Sequence, residues 1–297
     1  MPSCLRVVRS ASFRPRGDRY DPSTILRKPV RALSGGPDGL ALALRVRAGE
    51  VVIDVLARGE ASAEDADRAV LAGRGIAGVD DDPSAFLAKV ADHPVLGELA
   101  RRHDARLTRT PTLFESFTIA VVEQLVTTYE AWASIRRLTA FAAPPITGTT
   151  LRAPPTPDEV KRVPMWKLRA LGIGSRRALT LHEGAKRGDA LERLRALDPA
   201  EALERIQSLR GVGPWTGNMV IGAAMGWSDA VPVGDLHMPR IVTEALTGEP
   251  GGDEAMLAAL EPFRPDRARA VKLLRYVTVR RGPLPRVDAH RRMPWLT

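Results

Sequence analysis

Residues 199–224 read as two helices folded back on each other across a turn almost bare of side chains. Ala202, Ile206 and Leu209 give the first helix one apolar edge. Gly211 and Gly213 allow a positive φ in a tight turn. Pro214 suits the first position of a second helix, where its missing N–H costs nothing. A chain built around such a hairpin is committed to helical packing on both sides of it. The bare turn also leaves the amides at the start of the second helix free to approach an anion such as a phosphate. An ordinary helical hairpin with a glycine turn accounts for the same residues equally well.

The flanks agree with a helical fold. From 112 onward the pattern is almost only helical, cut by Pro/Gly clusters, with Phe114, Phe117, Val121 and Leu125 on one face. Residues 143–157 read as a loop, 175–186 as a basic helix, and 267–279 as the last helix. Asp235 is expected to open a helix running to about Leu246. The first 57 residues read instead as strands, with 40–46 and 51–56 apolar and Ala48-Gly49-Glu50 as a hairpin turn between them. Helices then follow from Ser62 and from Asp82-Pro83, the second carrying Phe86, Leu87, Val90 and Leu96. The expected fold is α+β, mainly α: a small N-terminal β-rich domain over 1–108 and an all-helical domain over 109–297 with a basic tail.

Composition narrows the partners. The 297 residues carry 44 Lys plus Arg against 35 Asp plus Glu, a net charge of +9. Residues 161–187 and 261–297 are each strongly basic, and the rest of the chain is net negative. One basic face toward a polyanion explains this, and so do two solvated helix faces. The start lacks an apolar stretch of signal-peptide length, and no run is long enough for a membrane span, so a soluble, cytoplasmic protein is expected. A single cysteine, Cys4, excludes an internal disulfide and a four-thiolate iron–sulfur cluster. The five histidines lack metal-ligand spacing, and no phosphate-binding Gly-rich loop follows a strand, so neither a catalytic metal nor a nucleotide cofactor is expected.

Val231-Pro232-Val233-Gly234-Asp235-Leu236-His237 lies about one helix beyond the hairpin. Taken with 209–215, with Gln124-Leu125-Val126-Thr127, and with 168–172 followed by Arg176 and Arg177, it resembles the helix-hairpin-helix DNA glycosylases, in particular the 3-methyladenine DNA glycosylase II type. The resemblance covers roughly 65–280, and its most specific part is 209–215 followed by Asp235.

The resemblance implies a repair enzyme that hydrolyses the N-glycosidic bond of alkylated purines in duplex DNA after rotating the nucleotide out. Asp235 matches the catalytic aspartate, whose charge would stabilise the cationic sugar and orient water; a simple N-cap is the alternative for that residue. Trp215, Met219 and Tyr276 match base-pocket positions, where an aromatic face favours a cationic base; Met219 replaces a tyrosine of close relatives. Trp215 stands where lyase-competent relatives carry a lysine, which implies a monofunctional enzyme. Gln124, Leu125, Arg176, Arg177, Gly211, Val212, Gly213 and Thr216 match DNA-binding positions. Leu125 would be the wedge that fills the vacated stack, provided the helix breaks near Gln124; otherwise its spacing suits burial. Backbone carbonyls of Ser208, Gly211 and Gly213 could hold a monovalent cation, and no other cofactor is expected. The implied partner is damaged double-stranded DNA, bound by a monomer. Glu123 departs from the small residue usual before the Gln, and Gly234 departs from the Val or Asp of many members. Pro239 fits only in the first turn of its helix. A non-catalytic damage-binding protein, or a glycosylase for uracil or oxidised bases, are the alternatives.

Overall fold

A computed structural model of the chain describes residues 6–13, 33–34, 41–47, 50–57, 62–145 and 152–277. Cys4, the turn expected at Ala48-Gly49 and the basic tail from 280 lie outside them. Strands β1 (Arg6–Phe13), β2 (Leu33–Ser34), β3 (Ala41–Arg47) and β4 (Glu50–Ala57) pair antiparallel in the order β1-β4-β3-β2. The β3–β4 register sets Val46 opposite Val51 and Arg47 opposite Glu50. Val51, Ile53 and Val55 alternate along β4 as one buried row, and helix α1 (Ala63–Ala77) packs against that strand. Ser62 caps α1 through a reciprocal box with Asp65.

The remainder of the described chain is helical: α2 (Ser84–Val90), α3 (Leu96–Arg102), α4 (Leu113–Glu123), α5 (Thr128–Ala142), α6 (Pro157–Lys161), α7 (Met165–Ala170), α8 (Ser175–Lys186), α9 (Gly188–Arg193), α10 (Pro199–Gln207), α11 (Pro214–Met225), α12 (Met238–Thr247), α13 (Asp253–Leu260) and α14 (Arg267–Leu274). The segment expected as one helix through Leu96 is two, α2 and α3. Pro94 cannot continue a helix, and the His93 ring nitrogen accepts from the Val95 and Leu96 amides to start the next. The last helix stops at Leu274, short of the expected 279.

Two apolar cores organise these helices. The first is built on α4, whose Leu113, Phe114, Phe117, Val121 and Val122 are buried; α4 packs against α5, α8, α9 and α11. The second joins Phe86, Val90, Leu96 and Ala105 to Val231, Val242, Leu260, Phe263 and Leu273. The expected boundary at 108 therefore falls inside a shared core: α2 and α3 pack with the C-terminal helices.

In the described part of the basic C-terminal segment, several cations are internal. Arg267 is buried and donates to Asp229 from Nε and Nη2, both at 2.7 Å. Arg264 donates to the same carboxylate at 2.9 Å. Arg269, also buried, reaches Asp81 and Asp266 at 2.9 Å, and Lys272 donates to the Arg106 carbonyl. Burial is the main influence on the Lys272 ammonium and holds it below its ordinary range. These cations anchor α14 to the loop before α12 and to the segment after α3.

Candidate active site at the helical hairpin

The hairpin forms as the glycines dictate. Asp198 caps α10 by accepting from the Ala200 amide at 2.9 Å, and Ala202 and Ile206 bury the inner face. The turn 208–213 then leads into α11, with Pro214 in its first turn. Gly211 adopts φ +89°, and a Cβ there would lie 2.0 Å from the Thr180 hydroxyl, so the turn is seated directly on α8. A Cβ at Gly213 would meet only open space, which leaves the start of α11 approachable from outside.

The hairpin residues divide by role. Val212 is buried, and its amide donates to the Leu209 carbonyl, so it serves the fold rather than an outside anion. Thr216 is buried too, and its hydroxyl accepts from Gln124 Nε2 at 2.8 Å. The same Nε2 donates to the Gly211 carbonyl at 2.9 Å. Gln124 is thus a clamp between α4 and the hairpin, and neither it nor Thr216 presents that bond to a ligand. Of the three carbonyls expected to hold a monovalent cation, Gly211's takes the Gln124 bond and Gly213's takes the Gly217 amide, each keeping one lone pair.

Helix α4 breaks at Gln124, as a wedge requires. Gln124 has ψ 122°, and Leu125 follows at φ +55°, in the left-handed region. Leu125 is 86% exposed, so the alternative of core packing is excluded. Both sides of this break are pinned. Arg177 donates from Nη1 to the Val122 carbonyl at 2.5 Å and from Nη2 to the Gly172 carbonyl at 3.2 Å, satisfying the end of α4. Thr127 caps α5 through a reciprocal box with Glu130. Arg177 is therefore an internal brace. Its neighbour Arg176 is exposed on the first turn of α8 and pairs with no carboxylate among the described residues.

Asp235 ends the loop between α11 and α12. Its Oδ1 accepts from the His237 and Met238 amides at 2.8 and 2.9 Å, which caps α12 three residues later than the expected start. Pro239 then falls in the first turn, where it is tolerated. Oδ2 accepts from Trp215 Nε1 at 2.9 Å. The aspartate is thus both a helix cap and the partner of the hairpin tryptophan. Both residues are half-buried, and among the described residues no arginine pairs with the carboxylate. Gly234, at φ +88°, brings the loop against Trp215: a Cβ there would stand 3.8 Å from the Trp215 Cβ. Its amide donates to Asp253 Oδ1 at 2.9 Å. Asn218 adds a second tie, donating to the Pro214 carbonyl and accepting from the Val231 amide.

Among the other expected pocket residues, Met219 is half-buried against the α4 core. Tyr276 lies flat on His103, ring centroids 3.8 Å apart and planes 3° apart. Sequence reasoning missed Asn218 and Asp253 as positioning groups, since both look like ordinary helix polar residues. It also missed Arg210, an exposed cation at the hairpin tip with no ion pair among the described residues. Its signal was adjacency to Gly211.

No protein-family profile matches this sequence, and no curated protein does. Solved structures do resemble it. A 3-methyladenine DNA glycosylase from Archaeoglobus fulgidus superposes with a TM-score of 0.71 at 20% identity, over 82% of this chain and 84% of that one. A Clostridium acetobutylicum 8-oxoguanine glycosylase/lyase, solved with double-stranded DNA, gives 0.63 at 15% identity, over 82% and 86%. A 3-methyladenine DNA glycosylase of Schizosaccaromyces pombe, solved with abasic DNA, gives 0.56 at 20% identity, over 64% and 95%. The chain has the fold of the helix-hairpin-helix DNA glycosylases.

Proposed function

We propose that the protein is a DNA base-excision repair glycosylase that hydrolyses the N-glycosidic bond of alkylated purines in duplex DNA. The observation that carries the proposal is Asp235: a half-buried carboxylate with no cationic partner among the described residues, fixed by two helix amides and one indole N–H beside an open helical hairpin. Departure of a base leaves positive charge on the deoxyribose. A carboxylate fixed in advance stabilises that charge and orients the attacking water without reorganising. The likeness to glycosylases of known structure supports the same reading.

The hairpin turn and the start of α11 would grip the phosphate backbone, with Arg176 and Arg210 beside them. Leu125 would enter the stack as the nucleotide leaves it, partly offsetting a cost of about a few kcal/mol. Trp215 has no amine to form a Schiff base, which favours a monofunctional enzyme that leaves the strand intact. An indole beside the carboxylate also suits a cationic alkylated base, worth about 0.5–2 kcal/mol. In this reading the strands and α1 form a small N-terminal unit, and the protein acts as a cytoplasmic monomer. A monovalent cation at the free lone pairs of Ser208, Gly211 and Gly213 would brace the turn, and no further cofactor takes part.

One experiment tests the proposal. Duplex DNA treated with a methylating agent is incubated with the protein and with Asp235→Asn, and free bases and strand breaks are both measured. Release of methylpurines by the wild type, at least about a hundredfold slower in the variant, with nicking only after alkali, is the expected result. Equal binding with no release by either protein would leave a non-catalytic DNA-binding module. Direct nicking with a borohydride-trapped adduct would show a lyase.

A further inference from the structure

Tyr129 follows Leu125 closely in the chain and stands in the first turn of α5. It is 79% exposed, and among the described large apolar side chains only Leu125 is more so. Helical periodicity explains the exposure. Ala131, Ser134 and Leu138 form the buried face of α5. At about 100° per residue, Tyr129 points almost directly away from that face. Among the described residues it makes no hydrogen bond and no ring contact.

A lone exposed tyrosine is ordinary. This one is neither alone nor loosely held. The short stretch of chain between them keeps its Cα within about 14 Å of that of Leu125, a reach of about four base steps. The Glu130 carboxylate accepts from the Thr127 amide at 3.0 Å and from the Thr127 hydroxyl at 2.8 Å, so the backbone is fixed where the ring emerges. Gln124, donating to the Gly211 carbonyl at 2.9 Å, sets the same turn beside the hairpin. There the Thr180 hydroxyl donates to the Arg176 and Arg210 carbonyls at 3.1 and 3.4 Å, so the two exposed cations start from neighbouring points. Two large apolar side chains thus stand in water on one braced turn, next to a pair of free guanidinium groups. Cover for an aromatic face among such cations is best supplied by a nucleic acid, whose bases stack while its phosphates meet the arginines.

We propose that Tyr129 is a second stacking residue, laying its ring against a base that borders the gap Leu125 enters. A leucine can fill that gap but offers no flat face, so the bases beside it would otherwise lose a stacking neighbour. Every base has a π-face, so the contact holds the opened duplex without selecting a sequence. This inference rests on the glycosylase reading and adds a residue to its DNA interface.

The test uses duplexes that carry a tetrahydrofuran abasic site, to which binding requires no base release. 2-Aminopurine, whose fluorescence is quenched by stacking, is placed in turn on either side of that site and opposite it. The wild type, Tyr129→Phe and Tyr129→Ala are titrated, and both affinity and fluorescence are read. Tyr129→Ala should bind about tenfold more weakly. At one of the positions its complex should also be brighter than that of the wild type. Tyr129→Phe keeps the ring and should match the wild type in both readings. Equal fluorescence of the three complexes at every position overturns the proposal, and so does a Tyr129→Phe that behaves like Tyr129→Ala. The three proteins should melt together, because the side chain is exposed; a destabilised Tyr129→Ala would reveal a folding role instead and also overturn it.

Failure of the enzyme reading shows differently. A wild type that binds the abasic duplex, shows the Tyr129 signal and releases no methylpurine supports the stacking role and removes only the catalytic one. A wild type that binds no duplex removes both.

Discussion

At the scale of single residues, Leu125 concentrates the most information. A leucine at positive φ costs about 1–3 kcal/mol, and a leucine turned into water recovers nothing by burial. Replacing it with glycine removes the strain at the expense of some unfolded-chain entropy. Leu125→Gly should therefore stabilise the protein by about 1 kcal/mol in denaturant melts while slowing base release at least about tenfold. A loss of stability in the variant would mean that the conformation is not strained.

The sequence made this residue ambiguous, because Phe117, Val121 and Leu125 share a helical spacing. What decides it is not in that pattern. Arg177 takes the Val122 carbonyl and Gln124 turns away to the hairpin, so the helix ends at Glu123, two residues before the pattern does. Asp235 was legible in part. Its position ahead of a proline-bearing helix suggested a cap, but its bond to Trp215 joins residues 20 apart and leaves no local trace.

Among the elements, helices with strong punctuation were legible from the chain: Asp198-Pro199, the glycines of the hairpin and the basic helix 175–186 all occur as read. The C-terminal arginines were not. Their spacing resembles a solvated face, and only tertiary packing supplies the buried Asp229 that Arg267 requires. That pair is the joint between α14 and the loop leading to Asp235. Asp229→Ala would leave a guanidinium buried without its partner, and should cost about 3–5 kcal/mol in chemical denaturation. Asp229→Leu combined with Arg267→Leu should cost less than Asp229→Ala alone, because no uncompensated charge remains. If the double variant is as unstable as the single one, the joint is not electrostatic.

For the molecule as a whole, the net charge of +9 overstates the cations that the proposed function could turn to DNA. Arg264, Arg267, Arg269 and Lys272 are committed to α14, and Arg177 to α4. Arg176, at the start of α8, and Arg210, at the hairpin tip, are exposed and pair with no carboxylate among the described residues. Affinity for undamaged duplex should fall with rising salt as counterions are released. Arg176→Ala or Arg210→Ala should each reduce the slope of log K against log salt by about one. Arg177→Ala should lower stability and leave that slope unchanged. A slope altered by Arg177→Ala and not by Arg176→Ala would invert the assignment.

Among the described residues none folds around Leu125, which is 86% exposed, yet three bonds from α8 and the hairpin hold the turn that carries it. Its side chain is thus invisible to the rest of the protein and felt only by whatever arrives from outside. Over generations that one tooth can be exchanged for a longer, flatter or more polar one without a compensating change elsewhere. Its mounting has no such freedom, because altering Arg177, Gln124 or Thr127 unseats whatever tooth is fitted.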